Sequence, residues 1–343
     1  MKKILFFSIA FFLLLNANAQ DIFHPNGKVQ AKVYFNYHYN LNKSATQPGS
    51  FNLKRAYFGY KYFFSKKLSA SITLDVGQNS GGSAFTYYLK KAALDWKLTS
   101  TLKLSIGLIG MQEFNHQESF WGYRYLYKSF MDEHGYGSSA DLGVNAHLTF
   151  LKNKLNFNIF IANGEGYKHL QDNYGKYKVG GNVIVKLVKN LEFKFYYDTK
   201  GFAYKRNDGV IVDTSSVSVY AFFLGYRIKS KFRIGAEYDV LLNGEKYTHA
   251  ASGYNLKGVS FYSTYTFSKR FELFGRYDNL ASNKIANAIN PWNYNKDGSA
   301  IIFGGQYSPV KGVKMALNYQ GWIYSDPTTT SKSFIYMNFQ YKF

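Results

Sequence analysis

Residues 333–343 read SFIYMNFQYKF. Ile335, Met337, Phe339, Tyr341 and Phe343 alternate with Phe334, Tyr336, Asn338, Gln340 and Lys342. A period of two is that of a β-strand, whose successive side chains point to opposite faces. One face here is wholly apolar and aromatic, and the other ends in polar groups. Such a strand exposes an edge unless a neighbour pairs with it. Its natural partner is segment 28–40, where Val29, Ala31, Val33, Phe35, Tyr37 and Tyr39 face away from Lys28, Gln30, Lys32, Tyr34, Asn36 and His38. Pairing the last strand with the first would close a sheet into a barrel.

The strands such a barrel needs are present. Alternating segments recur at 51–63, 67–78, 85–98, 102–113, 140–150, 154–163, 176–187, 191–200, 216–228, 231–241, 256–267, 271–280, 299–307 and 313–323, which with the two end segments makes sixteen. Segments of about 9 to 13 residues suit tilted strands that cross a bilayer. Connections after even strands are short, such as 64–66, 99–101, 151–153 and 268–270. Those after odd strands are longer and rich in Gly, Asn and Asp, such as 164–175, 201–215, 242–255 and 281–298. Short turns on one side and long loops on the other are the asymmetry of an outer-membrane barrel, with the turns in the periplasm. The expected fold is therefore all-β, a transmembrane antiparallel barrel of about sixteen strands.

Composition agrees. Aromatic residues make up 20% of the chain, with 32 Tyr and 31 Phe, against 5 Pro and no Cys. Strand formers are abundant, and disulfides or thiolate metal sites are excluded. The chain opens with Lys2 and Lys3, an apolar run over 4–15, and Ala17-Asn18-Ala19. That order predicts a secretory signal over 1–19, removed after Ala19, with 20–343 forming one domain. No later run is long enough for a membrane helix.

Several stretches resemble a known family. FNLKRAYFGYKY (51–62), WGYRY (121–125), ADLGV (140–144), ANGEGY (162–167), FGRYD (274–278) and the closing Tyr341-Lys342-Phe343 are similar, in this order, to outer-membrane porins of the phosphate-selective porin O and P type common in Bacteroidetes. The resemblance implies a diffusion channel for small hydrophilic solutes, a homotrimer, and recognition of the terminal strand by the barrel assembly machinery. Phe339, Tyr341 and Phe343 are the residues expected to carry that signal.

Charge placement narrows the choice of partners. The net charge is +21, and much of it falls in or beside the short turns, at Lys66, Lys67, Lys152, Lys154, Lys189, Lys229, Lys231, Lys269, Arg270 and Lys311. There it would meet lipid phosphates, and no stacking groove or recognition helix points to nucleic acid. Alternation places Lys32, Arg55, Lys61, Lys91, Lys97, Lys194, Arg233 and Arg276 in the interior, opposed by Asp75, Asp95, Glu237, Asp239 and Asp278 among others. The slight basic excess predicts a weak preference for anions. Arginine is scarce, so the arginine ladder that the resemblance implies for phosphate is not matched.

The third long connection, 114–139, is the candidate constriction loop, with Glu118, Trp121, Arg124, Lys128 and Asp132 as its candidate selectivity residues and a short helix expected over 118–130. Asp132, Glu133 and His134 invite a catalytic reading, but no HExxH, GxSxG or glycine-rich phosphate motif accompanies them. The expectation is a channel rather than an enzyme, with no cofactor, metal or catalytic residue. A receptor or adhesin acting through the long loops is the main alternative, and a barrel hydrolase the lesser one.

Overall fold

The computed structural model describes residues 23–43, 46–78, 83–228 and 231–343; the expected signal segment 1–19 and turn residue Lys229 lie outside them. Sixteen strands form one closed antiparallel barrel. In chain order they are β1 (Asn26–Asn40), β2 (Gly49–Phe63), β3 (Leu68–Gln78), β4 (Phe85–Lys97), β5 (Leu102–Gly110), β6 (Ala140–Phe150), β7 (Leu155–Ala162), β8 (Lys178–Val185), β9 (Leu191–Lys200), β12 (Val217–Ile228), β13 (Phe232–Leu242), β16 (Leu256–Thr266), β17 (Phe271–Ser282), β18 (Gly298–Tyr307), β19 (Val313–Tyr324) and β20 (Lys332–Lys342). Two short hairpins, β10 (Ala203–Lys205) with β11 (Ile211–Asp213) and β14 (Gly244–Lys246) with β15 (His249–Ala250), sit in long loops outside the barrel wall. Alternation alone did not reveal them, because each is two or three residues long.

Closure is made by β1 and β20. Phe35 lies opposite Phe339, and Tyr37 opposite Met337. The terminal residue takes part: the Ala31 amide donates to the Phe343 carbonyl, and the Phe343 amide to the Ala31 carbonyl, both at 3.1 Å. Both strand ends nearest the chain termini lie on the short-turn side. Many outward residues are large and apolar yet stay exposed: Phe51 is 80% exposed, Ile159 63% and Leu317 56%. A soluble barrel would hide such a belt; a hydrocarbon solvent makes it favourable.

Two β-bulges break the alternation where it matters most. Register slips between Tyr34 and Phe35 as β1 meets β2, and between Thr73 and Leu74 as β3 meets β4. The extra residues are Lys54 and Lys90, so Lys54 joins Arg55, and Lys90 joins Lys91, on the interior face. A bulge inserts one residue into one strand and re-aims its side chain.

β5 ends at Gly110, so Glu113, expected on the strand over 102–113, belongs to the loop base. The loop itself holds two helices, α1 (Asn115–Trp121) and α2 (Phe130–Glu133). The single helix expected over 118–130 is interrupted at Gly122, which caps α1 with a left-handed φ of 79°. Glycine adopts that conformation without the Cβ clash that other residues pay.

Candidate functional site

Loop 114–139 leaves the wall between β5 and β6 and crosses the interior to strands far away in sequence. The Tyr123 hydroxyl donates to Glu272 on β17, and the Tyr125 hydroxyl to Gln306 on β18, each at 2.9 Å. The Arg233 guanidinium on β13 donates to the Trp121 carbonyl at 3.1 Å, and Arg276 on β17 to the Lys128 carbonyl at 2.9 Å. Aromatic packing seals the contact: Trp121 meets Tyr262 and Phe274 edge-on, and Phe120 meets Phe223. Two glycines make room for it. A Cβ on Gly258 would lie 1.9 Å from the Phe130 ring, and one on Gly225 2.6 Å from Phe120.

The loop base is anchored by buried charge. Lys178 on β8 bonds both Glu113 and Asp198 at 2.8 Å, and the Tyr196 hydroxyl adds a bond to Glu113 at 3.1 Å. Burial pushes the Glu113 carboxyl up to about 7, although Lys178 pulls the other way. Lys194 donates to the Gln112 carbonyl and the Gln117 side chain, both at 2.8 Å. Deep charges of this kind hold geometry when each has its partners, and removing one partner strands the other.

This arrangement revises several expectations. Lys194 and Arg276, expected to line the aqueous interior, lie beneath the loop at 0% and 4% exposure. Arg276 grips Asp278 through two bonds of 2.8 Å and stands over the rings of Trp121 and Tyr127. Arg233 is turned to the underside of the loop, with Tyr123 stacked on it. Trp121, expected among the selectivity residues, is fully buried and serves as an anchor. Lys97 ends β4 on the short-turn side, and Lys61 reaches toward Phe63 nearby. Lys91 pairs with Asp95 at 3.7 Å. Asp132 turns to Arg124 at 3.1 Å while His134 packs on Phe130 and Trp322, so the acidic and imidazole neighbours take separate partners.

Three cavities of about 490, 520 and 550 Å³ adjoin the loop: the first lies against β1, β2, β19 and β20, the second against β1–β4, and the third among the long loops. The first opens toward the long loops, beside Lys332 and Tyr324; the second opens toward the short turns, beside Lys342 and Phe343. Tyr34 and Arg124 line both and form the partition between them. Arg124 is held from two sides, by Glu118 at 2.9 Å and by Asp132. Burial would lower its pKa, but Asp132, Tyr57 and Glu118 together raise it, so the guanidinium is charged at any physiological pH. Burial raises Glu118 above the usual carboxylate value against the pull of Arg124. Facing them, Asp75 on β3 takes Arg55 at 3.0 Å and Lys90 at 3.4 Å. Lys32 and Lys54 complete the cationic wall, Lys32 over the Tyr57 ring and Lys54 over Tyr336, both at 5.8 Å. Neither lies within ion-pair distance of a carboxylate among the described residues, so cations outnumber carboxylates at the partition.

No protein-family model matches the chain, and no curated protein matches it in sequence. Solved structures do match in fold. The outer-membrane channel DcaP of Acinetobacter baumannii superposes with a TM-score of 0.68 at 10% identity, over 95% of this chain and 100% of that one. The anion-selective porin from Comamonas acidovorans gives 0.67 at 11%, over 93% and 100%. OmpT of Vibrio cholerae, folded in vitro and described in a trimer form, gives 0.60 at 12%, over 94% and 100%. At these identities the likeness establishes a shared barrel fold.

Proposed function

We propose that the chain is an outer-membrane porin through which small hydrophilic solutes diffuse, and that it favours anions weakly. The observation that carries this reading is Arg124, which stands on an inward-folded loop at the partition between two cavities and faces Lys32, Lys54, Arg55 and Lys90 on the opposite wall. Rings of Lys and Arg raise the local concentration of anions and repel cations. Asp75, Glu118 and Asp132 offset part of that field, which is why the preference is modest and why phosphate specificity is not part of the reading.

In this reading segment 1–19 directs export, 114–139 is the constriction loop, and Lys32, Arg55, Lys90 and Arg124 are the residues a solute meets. The basic short turns face the periplasmic leaflet, where lipid phosphates are their natural partners. The terminal strand, with Phe339, Tyr341 and Phe343, is presented to the barrel assembly machinery, and the assembly is a homotrimer like the trimer form of Vibrio cholerae OmpT. A channel rather than a hydrolase is supported by the separate partners of Asp132 and His134. Liposome swelling tests the function directly: vesicles carrying the protein should swell in isotonic small sugars, and faster in small organic anions of equal size. Vesicles that do not swell in either would overturn it.

A further inference from the structure

The cavity beside Lys332 and Tyr324 differs from the other two in its walls. Trp322 and Tyr324 on β19 and Phe334 and Tyr336 on β20 line it together, and neither of the other cavities holds any of the four. Phe334 and Tyr336 lie 5.8 Å apart at 40°, and Trp322 and Tyr324 6.3 Å apart at 70°, so neighbouring strands each present a pair of rings to the cavity. Cations stand at its edges: Lys54 is 5.8 Å from the Tyr336 ring and Lys332 is 5.7 Å from the Tyr324 ring. Arg124, Lys128 and Lys296 line the same space, and Glu133 is the acidic residue among its lining. Neither Lys54 nor Lys332 is within ion-pair distance of a carboxylate among the described residues.

A bare anion filter has no use for four adjacent aromatic rings, and a site for neutral sugars has no use for unpaired ammonium groups. We propose that this basin is a binding subsite for ring-bearing anions, with the ring of the solute lying against Trp322 and Phe334 and its anionic group reaching Lys54 and Lys332. This rests on the channel reading for its setting, and it names the class of solute that the channel retains. A volume of about 490 Å³ falls within the range that accommodates a ring-sized ligand. Flat aromatic faces hold rings by stacking, and neighbouring cations fix the orientation by charge. The solute then passes Arg124 one group at a time.

Benzoate and glucuronate are the probes, with acetate as the anion lacking a ring and glucose as the ring lacking a charge. In planar bilayers, benzoate, glucuronate or both should interrupt the current at a concentration about tenfold below that needed with acetate or glucose. Which of the two acts at the lower concentration identifies the preferred ring. Lys54→Met and Trp322→Leu should each weaken that block several-fold. Ring anions that block no better than acetate, or a block unchanged by both substitutions, would overturn the subsite. Titration of the solubilised wild-type protein by tryptophan fluorescence reads binding without conduction. A silent bilayer with saturable benzoate or glucuronate binding would refute the channel and uphold the subsite; conduction without ring-anion binding would do the reverse.

Discussion

The guanidinium of Arg276 lies 5.2 Å from the ring of Trp121 while it holds Asp278 through two hydrogen bonds of 2.8 Å. One wall residue thus neutralises a buried carboxylate, supports the main aromatic anchor of the loop, and donates to the Lys128 carbonyl. The loop is part of the interior packing of the barrel, not a flap above it.

Arg276→Ala should therefore free the loop without opening the wall. Stranding a buried carboxylate costs roughly 3–5 kcal/mol, which the strand ladder can bear. Single-channel recordings should show larger conductance with more frequent fluctuation. Asp278→Asn, which keeps a hydrogen-bond acceptor for the guanidinium, should show the same change at smaller amplitude. Wild-type conductance in both would mean that the loop is held elsewhere.

Gly258 makes an independent test, because a Cβ there would meet the Phe130 ring at 1.9 Å. Overpacking costs about 1–3 kcal/mol, and the cheaper response is for α2 to move rather than for β16 to bend. Gly258→Ala should give barrels of normal heat resistance on gels and altered conductance. Loss of the folded barrel would place the strain in the wall instead.

His134 gives the loop a pH dependence. Burial holds its pKa below the ordinary histidine value of 6.5, so the seated loop prefers the neutral ring. Its contribution is full above 6.5 and is lost as pH falls through the lowered value. Current noise should rise as the pH falls through this lowered value, and His134→Phe, which keeps a ring against Trp322, should remove that rise. Glu113 acts with the opposite sign: raised to about 7, it favours the seated loop below 4.5 and loses that effect as pH climbs toward 7. Glu113→Gln should flatten the neutral limb and leave the acidic one.

The terminal pairing of Phe343 with Ala31, two bonds of 3.1 Å, closes the last turn of the barrel and presents an aromatic group that is 76% exposed. Deleting Phe343 should lower the amount of assembled barrel in the outer membrane far more than it changes the conductance of the molecules that fold. Unchanged levels would remove the assembly role from this residue.

How far the sequence could be read depended on the period of each feature. Alternation over β1 and β20 runs uninterrupted at the closing seam, so the strand count and closure were legible. The bulges were not, because a single extra residue only shifts the phase by one, and each side of it alternates normally. A visible trace remained in the paired bases Lys54-Arg55 and Lys90-Lys91, adjacent where alternation allows one. Alternation gives the charged residues of β9 and β17 a common face, but it carries no information on what covers that face. Lys194 and Arg276 were thus read as lining water when the loop lies over them. The aromatic run Trp121, Tyr123, Tyr125 and Tyr127 was the signal for that covering: a loop in solvent has little reason to carry it.

The reversal potential of single channels in a planar bilayer under a potassium chloride gradient tests the central claim most directly. The expected result is stepwise conductance with a reversal potential of the sign for chloride over potassium, reduced or inverted when Arg124→Gln, Lys54→Met and Lys90→Met are combined. A silent bilayer, or a wild-type channel that favours potassium, would contradict the account.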